Sequence, residues 1–516
     1  MTEHFYRQAR SNTIYPPKPG NGKAVCSGLK ATESMMSQRG AVRFYLNGKL
    51  QEVVPSSSTH TVLQYLREQA HLVGTKEGCA EGDCGACTVA EASLQDDGRV
   101  VFRAINACIR FLPTIDAKAL WTVEAVAGQA GHLHPVQQAL LDHHGSQCGF
   151  CTPGFVMSLY SMYQNGLVQP GRDEILDHLS GNLCRCTGYR PIIDAALNMG
   201  SYPESRLDCD QVEKQLRQLQ GDCASALVLE TPGQQYFAPV SIGELARLFS
   251  SHPDAILLAG GTDVGLLVTK QLKTLTKIIY LGSVAQLNRI QRENDHLRIG
   301  ATVLLNEGYE AIVGEYPEAR ELWKRFASMP IRNSGTLVGN VANGSPIGDS
   351  APLLIAIQAK VVLRKGDRQR VLALEDLYLD YRKQAREEGE FIEALIVPLR
   401  PRNMQVATYK LSKRFDQDIS AVCSAYALEL DQGRVASIRI AHGGMATTSR
   451  RAFHAEKALH GQAWTQAAVA KAMQALDQDY QPLSDMRASS SYRLKAARNL
   501  LYRFYLESTG MTETRV

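Results

Sequence analysis

The sequence has no uninterrupted run of about 18 apolar residues, the length that a membrane-spanning helix requires. Its first 40 residues also lack the continuous apolar segment of a secretory signal. We therefore expect a cytoplasmic protein. The opening segment is polar and punctuated by proline and glycine, which predicts a flexible extension over residues 1–40, and Met35 or Met36 would serve equally well as a start.

The chain also has little net charge. Its 56 lysines and arginines face 52 aspartates and glutamates, which leaves +4 over 516 residues. A concentrated basic face of the kind that binds nucleic acid is therefore not indicated. The hydrophobic share of 44% and the charged share of 21% are those of an ordinary folded protein, and the length predicts roughly three or four domains.

Twelve cysteines are too few to build a disulfide scaffold in a protein of this length. They are also unevenly spread, because eight of them fall between residues 79 and 186. In a reducing compartment, clustered thiols indicate metal or redox chemistry before they indicate disulfides.

The first cysteine group has the spacing C-x4-C-x2-C at Cys79, Cys84 and Cys87, with Cys108 further along. This spacing is typical of plant-type ferredoxins, in which four thiolates hold a [2Fe-2S] cluster. Interspersed glycines allow a loop to wrap closely around such a cluster. The flanks predict a hairpin over AVRFYLNGKLQEVV, a helix over TVLQYLREQ and a strand over RVVFRAINACI. A structural zinc site is the alternative, although its ligands usually come as paired CxxC or Cys/His knuckles.

The second group consists of Cys148 and Cys151 in QCGFCTPG and Cys184 and Cys186 in GNLCRCTGYR. Helical patterns surround both pairs, so each pair lies at a helix end, where amide groups and the helix dipole favour anionic ligands. We predict a second [2Fe-2S] cluster here. A thioredoxin-like CxxC is the alternative, but it leaves the C-x-C pair unexplained. Nearby histidines are interpreted as solvated helix-end residues, with metal ligation as the less favoured alternative: His132, His134, His143 and His144.

Residues 201–232 are charged and glutamine-rich, which predicts an exposed connection or a surface helix, with Cys209 and Cys223 inert. Beyond residue 236, helices and strands alternate. AGGTDVG (259–265) is a glycine turn entering a helix, where backbone amides can contact a pyrophosphate. IRNSGTLVGNVANGSPIGDSAPLL (331–354) has no regular period and predicts a loop folded against a polar ligand. Ordinary turn chemistry is the alternative for either string alone.

The strings EGCAEGDCGACTV, QCGFCTPG and GNLCRCTGYRPI resemble those of the molybdenum hydroxylases, the xanthine dehydrogenase and aldehyde oxidase family. The glycine-rich strings resemble the FAD domain that this family shares with vanillyl-alcohol-oxidase/PCMH-type flavoproteins. The resemblance implies one [2Fe-2S] cluster on Cys79, Cys84, Cys87 and Cys108 and another on Cys148, Cys151, Cys184 and Cys186, with Gln147 and Cys186 facing the pterin. It also implies a non-covalent FAD contacted by Leu257, Leu258, Ala259, Gly260, Gly261, Thr262, Asp263, Val264, Phe326, Thr336, Leu337, Val338, Gly339, Asn340, Asp349, Ile392 and Lys410.

The implied fold class is multidomain α+β. A β-grasp ferredoxin-like [2Fe-2S] domain is expected at 41–118 and a four-helix [2Fe-2S]-binding domain at 119–200. A linker at 201–232 then leads to the FAD-binding domain at 233–402. An α+β C-terminal subdomain resembling that of CO dehydrogenase flavoproteins is expected at 403–511, with Cys423 in its core.

In function, the resemblance implies the iron–sulfur and FAD subunit of a xanthine dehydrogenase. Such a subunit passes electrons from hypoxanthine and xanthine oxidation on a large molybdopterin-binding partner to NAD+. No catalytic residue for substrate hydroxylation is expected in this chain, and the assembly is expected to be a heterodimer or a dimer of heterodimers. The alternatives are the equivalent subunit of another molybdenum hydroxylase, acting on aldehydes, nicotinate or carbon monoxide, and a self-contained iron–sulfur flavoprotein reductase.

Overall fold

The computed structural model describes residues 38–95, 97–127 and 132–511. The extension predicted for residues 1–40 therefore lies outside the described residues, apart from its last three positions. None of the helices in the described ranges is both long enough and apolar enough to cross a membrane.

The first sheet has the strand order β2-β1-β5-β3-β4, with β1 and β5 parallel. The predicted hairpin forms because Asn47 and Gly48 take positive φ angles of 52° and 78°, which join two antiparallel strands in a tight turn. The predicted helix forms too, with a π-helical turn over Tyr65–Gln69. The elements are β1 Val42–Leu46, β2 Lys49–Val53, α1 Val62–Gln64, β3 Thr88–Leu94, β4 Val100–Asn106 and β5 Ala119–Trp121.

A group of helices packs against β3 and β4 of this sheet and shares one apolar core with them. Tyr160 and Tyr163 of the third helix are fully buried in that core. A further helix, Cys209–Asp222, also packs against β3 and β4. It lies within the residues 201–232 that were predicted to be a connection or a surface helix. The helices are α2 Pro135–Asp142, α3 Thr152–Gln164, α4 Arg172–His178, α5 Arg190–Asn198 and α6 Cys209–Asp222.

The next sheet has the order β6-β7-β9-β8, and β7, β9 and β8 run parallel. Its first strand lies within the residues predicted to be a connection. The strand β8 of this sheet is only half-buried, because Ile256 and Leu257 face a cavity described below. The elements are β6 Leu227–Thr231, β7 Gln234–Ala238, α7 Ile242–Ser251, β8 Ile256–Leu258, α8 Val264–Thr269 and β9 Lys277–Tyr280.

A second sheet of this region has the order β10-β11-β16-β12-β13. The prediction of a loop over residues 331–354 is wrong, because short helices occupy most of that string. Thr336 starts one of them by accepting a hydrogen bond from the Gly339 amide, and Gly344 ends it with a φ of 60°. The elements are β10 Ile290–Arg292, β11 His296–Gly300, α9 Leu305–Glu315, α10 Arg320–Lys324, α11 Met329–Arg332, α12 Leu337–Asn343, α13 Ser350–Ala356, β12 Lys360–Lys365, β13 Arg368–Ala373, α14 Leu374–Leu377, β14 Tyr378–Asp380, β15 Lys383–Gln384 and β16 Phe391–Pro398.

The C-terminal region is an antiparallel sheet of order β17-β18-β19-β20 with helices packed on it, as the α+β prediction requires. Cys423 is 1% exposed, which confirms it as a core residue. The elements are β17 Met404–Leu411, β18 Val422–Asp431, β19 Arg434–Gly443, β20 Arg450–Arg451, α15 Phe453–Leu459, α16 Gln466–Asp479 and α17 Ser490–Ser508.

Candidate cluster and flavin sites

The first four cysteines lie around one end of the first sheet. Cys79 and Cys84 are in the loop after the first helix, Cys87 directly precedes β3, and Cys108 lies two residues beyond β4. The predicted strand therefore ends before the fourth cysteine, which occupies the following turn. Backbone amides of the loop already point at Sγ of Cys79, each 3.4 Å away: those of Glu81, Asp83 and Cys84. Such amides stabilise a thiolate.

The thiols of this group are within hydrogen-bonding reach of one another. Hydrogen bonds with Cys108 and Cys84 lower the pKa of Cys79, and a hydrogen bond with Cys108 lowers the pKa of Cys87. No group of three or more His, Cys, Asp or Glu side chains in the described ranges is arranged to hold a metal ion. A two-iron cluster spreads its ligands over two metals, so its thiolates need not converge on one point. Four neighbouring sulfurs with inward amides fit a [2Fe-2S] cluster.

The second four cysteines lie in the loops that precede α3 and α5. Cys151 is the N-cap of α3. Burial, together with a hydrogen bond to Cys184, raises the pKa of Cys151 to about 12. Cys148 and Cys186 are both exposed free thiols within hydrogen-bonding reach of each other, while the Thr187 hydroxyl lies 3.1 Å from Sγ of Cys184. Since the four thiols again pair closely, they also fit a [2Fe-2S] cluster, which would lie at the protein surface. Gln147 is exposed beside them.

The two cysteine loops touch through backbone contacts. The amide of Leu183 donates to the carbonyl of Cys84 at 3.0 Å. Gly85 takes a φ of +70°, and a Cβ added there would lie 2.1 Å from the Gly181 carbonyl. A Cβ on Gly154 would lie equally close to the carbonyl of Gly85. Glycine is required at positions 85 and 154 because the loops approach more closely than any side chain allows.

The two glycine-rich strings line one cavity of about 630 Å³, a size typical of cofactor pockets. Its wall brings together most of the predicted FAD contacts: Leu257, Ala259, Gly260, Gly261, Thr262, Asp263, Val264, Phe326, Thr336, Val338, Gly339, Asn340 and Ile392. A Cβ on Gly260 would meet the Ser334 carbonyl at 2.2 Å, so the absence of a side chain lets the strings pack together. Burial raises the pKa of Asp263 at this wall. The size of the cavity and its glycine-rich lining fit FAD.

Four predicted FAD contacts are absent from this wall in the described ranges. Leu258 and Leu337 are fully buried in the cores behind it. Asp349 and Lys410 instead pair with each other, with Lys410 Nζ 2.6 Å from Asp349 Oδ2. The Ser420 hydroxyl donates to the other carboxylate oxygen at 2.6 Å. Neither residue lines the described cavity, and their contact with FAD stays a prediction.

The sequence interpretation missed several wall residues. Glu81, from the first cysteine loop, lines the flavin cavity, as do Asn343 and Arg386. Lys270, just after α8, donates to the Cys79 carbonyl at 2.6 Å and pairs with Glu81 at 3.2 Å. Asn343 lies within the string 331–354, but nothing in the local pattern marks Glu81, Arg386 or Lys270, since their role follows from contacts between distant segments.

The interpretation of all four histidines as solvated is wrong for His134. This residue is 2% exposed and caps α2, with Nδ1 accepting from the Val136 amide and Nε2 bonded to the Ser205 carbonyl at 2.8 Å. Burial lowers its pKa to about 4. Both ring nitrogens are used, so His134 has no nitrogen left for a metal. His132 and His144 are exposed, and His143 is half-buried.

Four family models match the chain in succession. They are a 2Fe-2S iron-sulfur cluster binding domain at residues 44–111 and a [2Fe-2S] binding domain at 122–197, followed by an FAD binding domain in molybdopterin dehydrogenase at 231–400 and a CO dehydrogenase flavoprotein C-terminal domain at 407–508. The chain is homologous to the molybdenum hydroxylases. It carries two [2Fe-2S] domains and an FAD-binding domain of that family.

Individual molybdenum hydroxylases show the extent of the similarity. The chain is 31% identical to a xanthine dehydrogenase of Emericella nidulans over 98% of its own length, and 32% identical to one of Drosophila subobscura over 79%. It spans only 41% and 34% of these relatives. A solved carbon monoxide dehydrogenase chain of Hydrogenophaga pseudoflava, which lacks the Mo-pyranopterin moiety of the molybdenum cofactor, is 29% identical with a TM-score of 0.50. That match covers 53% of this chain and 96% of the other.

Proposed function

We propose that this chain is the iron–sulfur and FAD subunit of a xanthine dehydrogenase. It would pass electrons from a large molybdopterin-binding subunit, which oxidises hypoxanthine and xanthine to urate, through two [2Fe-2S] clusters and FAD to NAD+. The clusters supply one-electron steps and the flavin converts them to a two-electron transfer. The observation that carries the proposal is that the two cysteine loops touch each other and that the first of them, through Glu81, forms part of the wall of the flavin cavity.

The contacts between these sites support an electron path. Leu183, next to Cys184, donates to the carbonyl of Cys84 in the first loop. At the other end of that loop, Lys270 of the flavin region holds the Cys79 carbonyl. A Cβ on Gly265 of α8 would lie 2.6 Å from the Ile109 carbonyl, next to Cys108. The segments that carry the sites are therefore in direct contact, which supports electron transfer between them.

The partner would dock where the second cysteine group reaches the surface. Cys148, Cys186 and Gln147 are exposed there. Three large apolar side chains around them are exposed as well: Phe150, Leu183 and Tyr189. Exposed apolar side chains gathered at one place favour a protein interface. This surface supports the predicted pterin-facing role of Gln147 and Cys186.

The continuous match supports the purine enzyme over the other hydroxylases. One xanthine dehydrogenase matches 98% of this chain in a single alignment, whereas the carbon monoxide dehydrogenase chain, used almost entirely, matches about half of it. A fused arrangement of the cluster and flavin domains is thus shared with the purine enzyme. A cytoplasmic location belongs to the same proposal.

The test is to co-express the chain with the large molybdopterin-binding subunit encoded nearest its gene and to assay the purified complex. We expect iron, acid-labile sulfide and FAD in the preparation, and formation of urate and NADH from xanthine and NAD+. Benzaldehyde, nicotinate and carbon monoxide serve as competing substrates. Preferred turnover of one of these would favour the alternative hydroxylase, and full activity of the chain alone would favour the self-contained reductase.

A pair of cysteine variants sharpens the assay. Cys148→Ser removes an exposed thiol of the second group, whereas Cys209→Ser removes an exposed thiol that belongs to neither group. We expect the first variant to stop NADH formation with xanthine while leaving flavin binding intact, and the second to behave as the unmodified chain. Equal activity of the two variants would contradict the proposed path.

A further inference from the structure

A second cavity, of about 480 Å³, lies between the first sheet, the end of α6 and the flavin region. It shares the wall residues Ala259, Gly260 and Thr336 with the flavin cavity but has its own polar lining. Nothing in the proposed electron path uses it.

The charges in this lining do not balance. Four cationic side chains line the cavity among the described residues, namely Arg39, Arg103, Arg110 and Lys118, against three carboxylates, namely Glu91, Asp116 and Glu307. Arg39 pairs with Asp116 at 2.6 Å and Arg103 with Glu307 at 2.7 Å. One cation is left over.

The excess cation arises because two cations share one buried carboxylate. Glu91 has a side chain only 5% exposed, and it accepts from Arg110 Nη2 at 3.2 Å and from Lys118 Nζ at 2.9 Å. Burial, together with the neighbouring Arg110 and Arg103, lowers the pKa of Lys118 to about 8 against the pull of Glu91. At neutral pH Lys118 is therefore mostly charged, and the cluster keeps a surplus of one positive charge.

Two donors in the same lining also lack partners. Arg110 is 7% exposed and its Nε has no hydrogen-bond acceptor within the described part of the chain. Thr302 is 7% exposed, and its hydroxyl likewise has no hydrogen-bond partner within the described part of the chain. An unsatisfied buried polar group destabilises the fold, and a buried unpaired charge does so more strongly. An anionic acceptor in the cavity would compensate both.

We propose that this cavity binds a phosphate group next to Arg110 and Lys118. Phosphate supplies negative charge and several acceptor oxygens, which an arginine fork and a lysine ammonium recognise together. The cavity is large enough for either free inorganic phosphate or the phosphate of a mononucleotide. The site is separate from the FAD pyrophosphate, because only Ala259, Gly260 and Thr336 of the proposed FAD contacts also line this cavity.

The test uses the full chain loaded with FAD and titrated calorimetrically with inorganic phosphate, and separately with AMP, at constant ionic strength. We expect one phosphate per chain. Tighter binding of AMP at the same site would identify a nucleotide as the source of the phosphate group, and equal or weaker binding would identify the free ion. Absence of phosphate binding to the FAD-loaded chain would overturn the proposal, and phosphate binding seen only after FAD is removed would do the same, because it would assign the anion to the flavin cavity.

The deciding variant is Lys118→Met, which removes the excess charge while Glu91 keeps Arg110 as its partner. We expect binding at least about tenfold weaker, since a charge-assisted bond is lost. Lys277→Met is the matched control, because Lys277 is similarly buried but pairs with Asp254 outside this cavity. Thr302→Val keeps the side-chain shape, removes the unpartnered hydroxyl and should weaken binding by a smaller factor. The proposal would be overturned if Lys118→Met and Thr302→Val both left the affinity for phosphate unchanged. It would also be overturned if Lys277→Met lowered that affinity as much as Lys118→Met does.

Discussion

Replacing Lys410 by methionine should destabilise the C-terminal sheet, because it leaves a buried carboxylate without its counter-ion. The side chains of Lys410 and Asp349 are 3% and 4% exposed and lie 2.6 Å apart. Lys410 belongs to β17, whereas Asp349 precedes α13, so the pair joins the C-terminal sheet to the flavin region. Methionine keeps the length and apolar stem of lysine, so the variant changes charge more than packing.

The expected magnitude follows from the burial of this pair. Removing one partner of a buried ion pair destabilises a fold by about 3–5 kcal/mol. The Ser420 hydroxyl still donates to Oδ1 of Asp349 at 2.6 Å, which offsets part of the loss. We therefore expect a loss of about 3 kcal/mol, at the lower end of the range. The double variant Lys410→Met with Asp349→Leu removes both charges and should lose much less, since an apolar replacement of a buried pair is often neutral.

Amide hydrogen exchange measures this effect without assuming that a multidomain chain unfolds in one step. The free energies of opening should fall for amides in β17 and β18, while those in β1 and β2 of the distant first sheet serve as the internal control. Measurements on flavin-free protein separate the ion pair from a contact with FAD. The reasoning is refuted if the single variant exchanges like the unmodified protein in this form, or if the double variant loses as much as the single one.

Three further predictions concern the clusters, the flavin cavity and pH. Cys84→Ser should lose about half of the iron and acid-labile sulfide, measured chemically and as loss of one electron paramagnetic resonance signal, because each cluster needs four thiolates; retention of all the iron would contradict the assignment. Gly260→Ala should expel FAD and its visible absorbance, because its Cβ would lie 2.2 Å from the Ser334 carbonyl and overpacking costs about 1–3 kcal/mol. Gly243→Ala, in a helix with no atom within 4 Å of the new Cβ, should keep FAD and gain about 0.5–1 kcal/mol, so equal flavin contents would refute the close approach. The pKa of His134 is about 6.5 in the unfolded chain and about 4 in the folded one. Its contribution to the free energy of unfolding is therefore complete above pH 6.5 and falls by roughly 3 kcal/mol as the pH drops to 4. His134→Asn should show a shallower loss of stability with acid in urea unfolding, and an identical pH slope would count against a buried neutral ring.

Much of the fold could be predicted because its signals are local. The Asn47–Gly48 turn, the N-terminal caps and the alternating burial of β1 are consequences of neighbouring residues alone. The string 331–354 was misread as a loop because its glycines and asparagines are typical of turns. In the structure they start, end and separate short helices that packing against the flavin-region core stabilises.

The predicted site residues differ in the same way. The cysteines and glycines were found because their spacing along the chain is itself the requirement of a wrapped loop. His134 was misinterpreted because its burial depends on Tyr160, Tyr163 and Ser205, which lie far from it in sequence. Glu81 and Arg386 were missed at the flavin cavity for a similar reason, since each reaches it from a segment that carries no flavin motif.

The sequence by itself determined which chemistry this protein can hold: eight thiols at cluster spacing, glycine turns suited to a pyrophosphate, and the succession of domains. These depend on residue type and separation along the chain, which local backbone geometry converts directly into loops. Only the tertiary structure decided that the first cysteine loop forms part of the flavin cavity, that Asp349 and Lys410 pair with each other, and that a surplus cation faces a second cavity. Ion pairs and contacts between distant segments depend on how whole layers pack, and no local pattern in the chain encodes which distant residues meet.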